Sequence, residues 1–182
     1  MKIIALLPVY LLLAACQTTG PLDENSPHHV LPSGSRLVLK QELAIPAGSA
    51  GVMLQGGRVV SDQDANPYHP HCRLEVNDVR ETTQTVTADE FVVRRARQES
   101  YTVARAGLKK VDVSGDGGGI SLFVFRTILG LESPRQPRVR RLTCQQWADP
   151  ALGQHVSIRE IRQTLGELFL LYLPARAPGE RL

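Results

Sequence analysis

Beyond its first fifteen residues the chain has no long apolar run. A helical span needs roughly 20 consecutive apolar residues, so none is expected downstream of that start. An excess of one charge is missing too. The 182 residues carry 21 Lys and Arg against 18 Asp and Glu, a formal net charge of +3. So small an excess argues against a nucleic-acid partner. The three cysteines include no Cys-x-x-Cys pair, which removes the usual redox signature. Serines 49, 61, 114 and 157 stand outside any Gly-x-Ser-x-Gly elbow. Gly117-Gly118-Gly119 has no Lys-Ser/Thr behind it and opens no helix, so it is no phosphate cradle. No strand–helix alternation and no internal repeat is visible. A hydrolase with dispersed residues is therefore the least favoured reading, and no catalytic residue is assigned.

What the chain does have begins at its N-terminus. Lys2 precedes the apolar run Ile3 to Leu13, and Leu13-Ala14-Ala15-Cys16 closes it. A short positive start, a brief apolar segment and small residues before a cut describe a secretory signal. The tetrapeptide resembles the lipobox of bacterial lipoproteins. That resemblance implies removal of residues 1–15 and a diacylglyceryl thioether on Cys16, with no other cofactor. It also implies a membrane partner through the lipid, each buried methylene contributing about 0.8 kcal/mol. Residue 17 is Gln rather than Asp; in a Gram-negative cell the family's sorting rule then implies the outer membrane, facing the periplasm. Residues 16–34 are polar and proline-punctuated and read as the lipidated Cys and a flexible tether.

Residues 35–174 read as one β-rich domain, followed by a frayed tail at 175–182. Leu37, Leu39 and Leu43 alternate with polar residues over 36–43, the period of a half-buried strand. After a turn at Pro46–Gly48, residues 51–55 run back as its antiparallel partner and stop at Gly56-Gly57. Further strands are expected at 72–79, 84–86, 90–96, 101–108, 120–129, 138–147 and 167–173, with a loop at 61–71. Ser157-Ile158-Arg159-Glu160 is a capping box, Ile158, Ile161 and Leu165 recur at helical spacing, and Gly166 ends the helix. The pattern predicts an all-β or β-rich α+β fold, an antiparallel sandwich or small barrel with one short C-terminal helix.

Once Cys16 carries lipid, Cys72 and Cys144 are left in an oxidising compartment, where an even count reads as a disulfide. Two buried free thiols are the alternative. His69 and His71, two apart on extended chain, are the metal candidates, though a closed site would need more donors. Asp112-Val113-Ser114-Gly115-Asp116-Gly117 resembles the first half of a calcium loop but reaches Phe123 where the bidentate Glu belongs, and reads better as a hairpin turn. Residues 62–90 sum to −5 and residues 94–110 to +5; the simplest expectation is neighbouring strands that cancel. Arg135, Arg138, Arg140 and Arg141 form a second basic cluster, a candidate contact for lipid phosphates, peptidoglycan carboxylates or an acidic partner.

Residues 68–76, Tyr-His-Pro-His-Cys-Arg-Leu-Glu-Val, are similar to a stretch in uncharacterised proteobacterial lipoproteins, which implies a compartment and no activity. The expected function is a lipid-anchored envelope protein that binds or helps assemble another envelope component, a protein or peptidoglycan. A small-ligand or metal-binding periplasmic lipoprotein is the alternative.

Overall fold

The computed structural model describes residues 22–103 and 122–175. Its strands are β1 (Arg36–Leu39), β2 (Leu43–Ile45), β3 (Gly51–Gln55), β4 (Arg58–Val60), β5 (His71–Val76), β6 (Gln84–Val86), β7 (Asp89–Val103), β8 (Leu122–Glu132), β9 (Val139–Ala148) and β10 (Phe169–Tyr172). The helix α1 (Ile158–Leu165) and a 3₁₀ turn, Gly166–Leu168, precede β10. Eight strands form one antiparallel sheet in the order β10-β1-β7-β8-β9-β5-β3-β4, and β2 pairs with β6 as a separate ribbon. The sheet curls into a half-barrel whose edges, β10 and β4, do not meet. The all-β expectation with one short C-terminal helix holds, in the form of an incomplete barrel.

Burial explains the curl. Leu37 and Leu39 of β1, Phe91 and Val93 of β7, Leu129 of β8, Leu142 of β9, Leu74 of β5 and Leu54 of β3 turn to the concave side and are essentially inaccessible. The helix fills the open side. Its Ile158, Ile161 and Leu165 join that core, and it packs on β10 at one edge and on β3 and β5 near the other. The capping box forms as the sequence predicts: Glu160 N–H donates to Ser157 Oγ at 3.3 Å, and Ser157 N–H to Glu160 Oε2 at 2.8 Å. At the other end Gly166 takes φ +54 and lies against Gly57, whose N–H donates to the Thr164 carbonyl at 3.0 Å. The β3–β4 turn is thereby fastened to the helix C-terminus.

Several expectations are corrected. The strand expected over 36–43 splits: Lys40 N–H donates to the Leu168 carbonyl, and the chain leaves the large sheet before β2. Leu39 and Leu43 are an even number apart, so the alternation runs through the break and hides it. Nor does β1 pair with β3; it lies between β10 and β7, while β3 lies between β5 and β4. β7 is one long strand where two were expected. A register shift between Val93 and Arg95 changes the parity of its faces, and the polar run 97–100 conceals its continuity. β4 carries no periodicity in its three residues and was not anticipated.

Residues 104–110 of the basic segment lie outside the described residues; over the described part, Arg94, Arg95 and Arg97 stand on β7, which flanks β1 and β8 rather than β5 or β6, so they do not meet the acidic segment as neighbouring strands. The tether is shorter than expected on its described part. Leu31 is 2% exposed within the core, Arg162 pairs with Glu24 at 2.9 Å, and Gln98 donates to the Pro27 carbonyl at 2.9 Å. Two apolar residues among prolines gave no period by which to see that docking.

Candidate functional site

The convex face of the half-barrel is where unlike strands bring the arginines together. On β8 the residues facing out are Val124, Arg126, Ile128 and Gly130, alternating with Phe125, Thr127, Leu129 and Leu131 that face in. Val124 and Ile128 are 2% and 7% exposed yet stand outside the central core cluster. On the convex side Val124 stands between Tyr101 of β7 and Trp147 of β9, and Ile128 between Arg97 and Thr143, side chains whose apolar parts shield them.

Gly130 pairs with Arg95 of β7 on one side and with Arg141 of β9 on the other. Two strand spacings separate those arginines, about 10 Å between Cα atoms, with no side chain between. Arg97 sits beside Ile128 in the next outward row. Irregularities occur on both flanks at this level. Arg94 is the extra residue of β7 where the register shifts, and Arg140 is the extra residue of β9 opposite Glu75 and Val76 of β5. Bulges re-aim side chains, and here they add arginines to the convex face. The result is a depression of about 300 Å³ lined by Arg95, Arg97, Ile128, Gly130, Arg140 and Arg141.

Two carboxylates stand at its rim. Glu75 accepts from Arg141 at 2.6 Å and from Thr143 Oγ1 at 2.8 Å. Burial alone would raise the Glu75 pKa, but these bonds and the nearby guanidinium charges outweigh it and hold the carboxyl below its ordinary range. Glu99 is shared between Arg126 and Arg97, the latter at 3.5 Å, and Arg126 also lies over the Tyr101 ring at 5.0 Å. Among the described residues, Arg95 and Arg140 have no acidic partner within 4 Å.

The basic cluster read from sequence is therefore divided. Arg140 and Arg141 belong to this depression. Arg135 and Arg138 line a different one, near β6. There Arg135 pairs with Asp89, and Arg138 donates to Gln84 Oε1 at 3.1 Å. Asp89 also accepts from Ser133 at 2.6 Å and Gln136 at 3.1 Å, so this pair of arginines is engaged in holding a turn. Arg95 and Arg97 lie more than forty residues from Arg140, so nothing local in the sequence links them. Only the strand order reveals the meeting.

The histidine candidates do not form a site. His71 is 4% exposed and its Nδ1–H donates to the His69 carbonyl at 2.9 Å. Its remaining lone pair, on Nε2, accepts from Gln145 Nε2 at 3.1 Å, which leaves none for a metal. Burial lowers its pKa and keeps the ring neutral, the bond to His69 opposing only in part. His69 is exposed. No group of three metal-ligating residues exists among the described residues.

The disulfide expectation holds. Cys72 and Cys144 stand directly opposite in the β5–β9 ladder, with Cα atoms 4.0 Å apart, and are bonded. Both are fully buried. The bridge ties neighbouring strands. Cys16 and the turn at 112–119 lie outside the described residues. No family model, curated protein or solved structure matches the chain. What fold and site define together is a disulfide-stapled β half-barrel with an arginine-lined depression on its convex face.

Proposed function

We propose that this chain is a lipid-anchored binding module of the cell envelope, which meets another envelope component through the convex face of its sheet. The observation that carries the reading is the convergence of Arg95, Arg97, Arg140 and Arg141 from two strands around Gly130. Like charges on adjoining rows destabilise a free sheet, so their gathering favours a partner that supplies negative charge. Supporting the compartment are the lipobox-like Leu13-Ala14-Ala15-Cys16 and the Cys72–Cys144 bridge, since such bonds persist where the surroundings oxidise. Lipid on Cys16 would hold the domain at the membrane, and the concave side, filled by α1 and core leucines, would serve as a rigid support.

The test expresses wild type and Cys16→Ser in the native cell, each with a photoreactive residue at position 132, beside the depression but outside its lining. Wild type should fractionate with membranes and Cys16→Ser should not, while position 132 should report a neighbour on the convex face. Membrane-bound, lipid-modified Cys16→Ser protein would overturn the anchor.

A further inference from the structure

We infer that the depression around Gly130 is a binding site for a phosphate group, a phosphomonoester or a diphosphate. This names the ligand of the convex face and rests on the reading of that face as a binding surface; it needs no lipid on Cys16.

The glycine is the first observation. Gly130 is absent from the glycines with positive φ, so no backbone conformation demands it. Nor does crowding. A Cβ built there meets only the Arg95 carbonyl at 3.6 Å and the Arg95 Cβ at 4.0 Å, ordinary van der Waals contacts. By contrast, a Cβ on Gly51 would stand 2.4 Å from the Leu74 carbonyl, and one on Gly166 2.4 Å from Gly57 Cα. Glycine inside a strand weakens it and often marks close approach of a ligand or another backbone. At Gly130 no protein backbone comes nearer than that ordinary contact with the Arg95 carbonyl. The missing side chain leaves an open floor between two cationic walls.

Charge is the second. Four arginines line the depression. Glu75 pairs with Arg141, and Glu99 is shared between Arg97, at 3.5 Å, and the closer Arg126, which is not part of the lining. Arg95 on β7 and Arg140 on β9 have no acidic partner among the described residues. The lining keeps at least two positive charges, which a dianion offsets.

Shape is the third. A carboxylate presents two coplanar oxygens and suits one guanidinium fork. A phosphate directs oxygens tetrahedrally, so it accepts from guanidiniums on both walls at once, and arginine is well suited to such planar, bidentate contact. Ile128 at the base excludes water and strengthens those bonds.

The probe is sodium pyrophosphate, titrated calorimetrically into the full-length chain in neutral detergent at fixed ionic strength. Saturable one-to-one binding is expected, with a rise in melting temperature. Arg95→Gln/Arg140→Gln should weaken it at least about tenfold, as expected for loss of charge-assisted bonds. Gly130→Val fills the floor with a residue that strands favour and should weaken it comparably while raising or preserving the melting temperature of the free protein. Arg58→Gln, on β4, should leave binding unchanged.

Undetectable binding, equal binding by wild type and both pocket variants, or a dicarboxylate such as succinate binding as tightly as pyrophosphate would each overturn the assignment. The source is separated by flotation with phosphatidylcholine vesicles that contain or lack phosphatidic acid. Flotation only with phosphatidic acid, competed by pyrophosphate, assigns a lipid headgroup. Pyrophosphate binding without flotation assigns a soluble phosphate compound. Failure of the titration with correct membrane localisation would remove the phosphate and leave the envelope reading standing.

Discussion

Replacing both bridge cysteines by alanine tests how the half-barrel is held together. The sequence separation of Cys72 and Cys144 is 72 residues, and the loop they close contains β6, β7 and β8. In the chain-entropy model a loop of that length restricts the unfolded ensemble by about 4.4 kcal/mol at 25 °C. The native ladder is independent of the bond: β5 and β9 pair from His71↔Gln145 to Val76↔Val139. Cys72→Ala/Cys144→Ala should therefore fold to the same strand content by circular dichroism.

Its stability should fall by about 3–5 kcal/mol, allowing for the sulfur volume removed from a site with 0% exposure at both positions. For a domain of this size that is a drop in melting temperature of roughly 6–20 °C. Urea unfolding under oxidising conditions, followed by the fluorescence of Trp147, measures it. A loss below about 1 kcal/mol would refute the reasoning, because the bridge would then be an ornament on a ladder that needs no help. Non-reducing peptide mapping of wild type checks the starting point.

Two further predictions address a buried turn and the helix end. Asp89 is 3% exposed and accepts from Ser133, Gln136, Arg135 and the Glu90 amide. Burial would raise its pKa, but those bonds prevail and depress it. The contribution of a depressed carboxyl is present above the unfolded value of about 3.9 and is lost as pH falls through the folded one. Asp89→Asn should cost about 1–3 kcal/mol at pH 7 and flatten the loss of stability below about pH 4, as read by urea titrations across pH. Gly166→Ala should destabilise by about 1–3 kcal/mol, since φ is +54 and the new Cβ would stand 2.4 Å from Gly57 Cα; thermal melts that show no change would remove the proposed fastening of the β3–β4 turn.

Much of the local structure was legible because its signals are local. The capping box at Ser157, the stop at Gly166 and the alternation of Cys72, Leu74 and Val76 each lie within a few residues, and all are present. The disulfide follows from an even count of cysteines together with the expected compartment. What could not be read was anything that depends on strand order. Arg135, Arg138, Arg140 and Arg141 read as one cluster along the chain, yet Arg135 and Arg138 lie before β9 and line the depression near β6, while Arg140 and Arg141 lie on β9 and line the other, a tertiary division. Arg95 and Arg97 looked like charge destined to cancel, and β8 instead places them across Gly130 from more arginine. The His69/His71 pair failed for a different reason: alternation suggested a shared direction, while burial and the bond from Gln145 took His71 out of reach.

The most direct test of the envelope-binding reading is photo-cross-linking in cells from position 132 on the convex face, with position 152 as control. Glu132 stands on β8 two residues from Gly130, exposed and outside the lining of the depression, and Leu152 is 84% exposed on the loop after β9, so both positions offer a probe to solvent and leave the lining arginines in place. The expected result is an adduct with one envelope component, protein or lipid, from position 132 and none from position 152, lost on Arg95→Gln/Arg140→Gln. Adducts of equal yield from both positions, or none from position 132 in membrane-bound protein, would contradict the convex face as the binding surface.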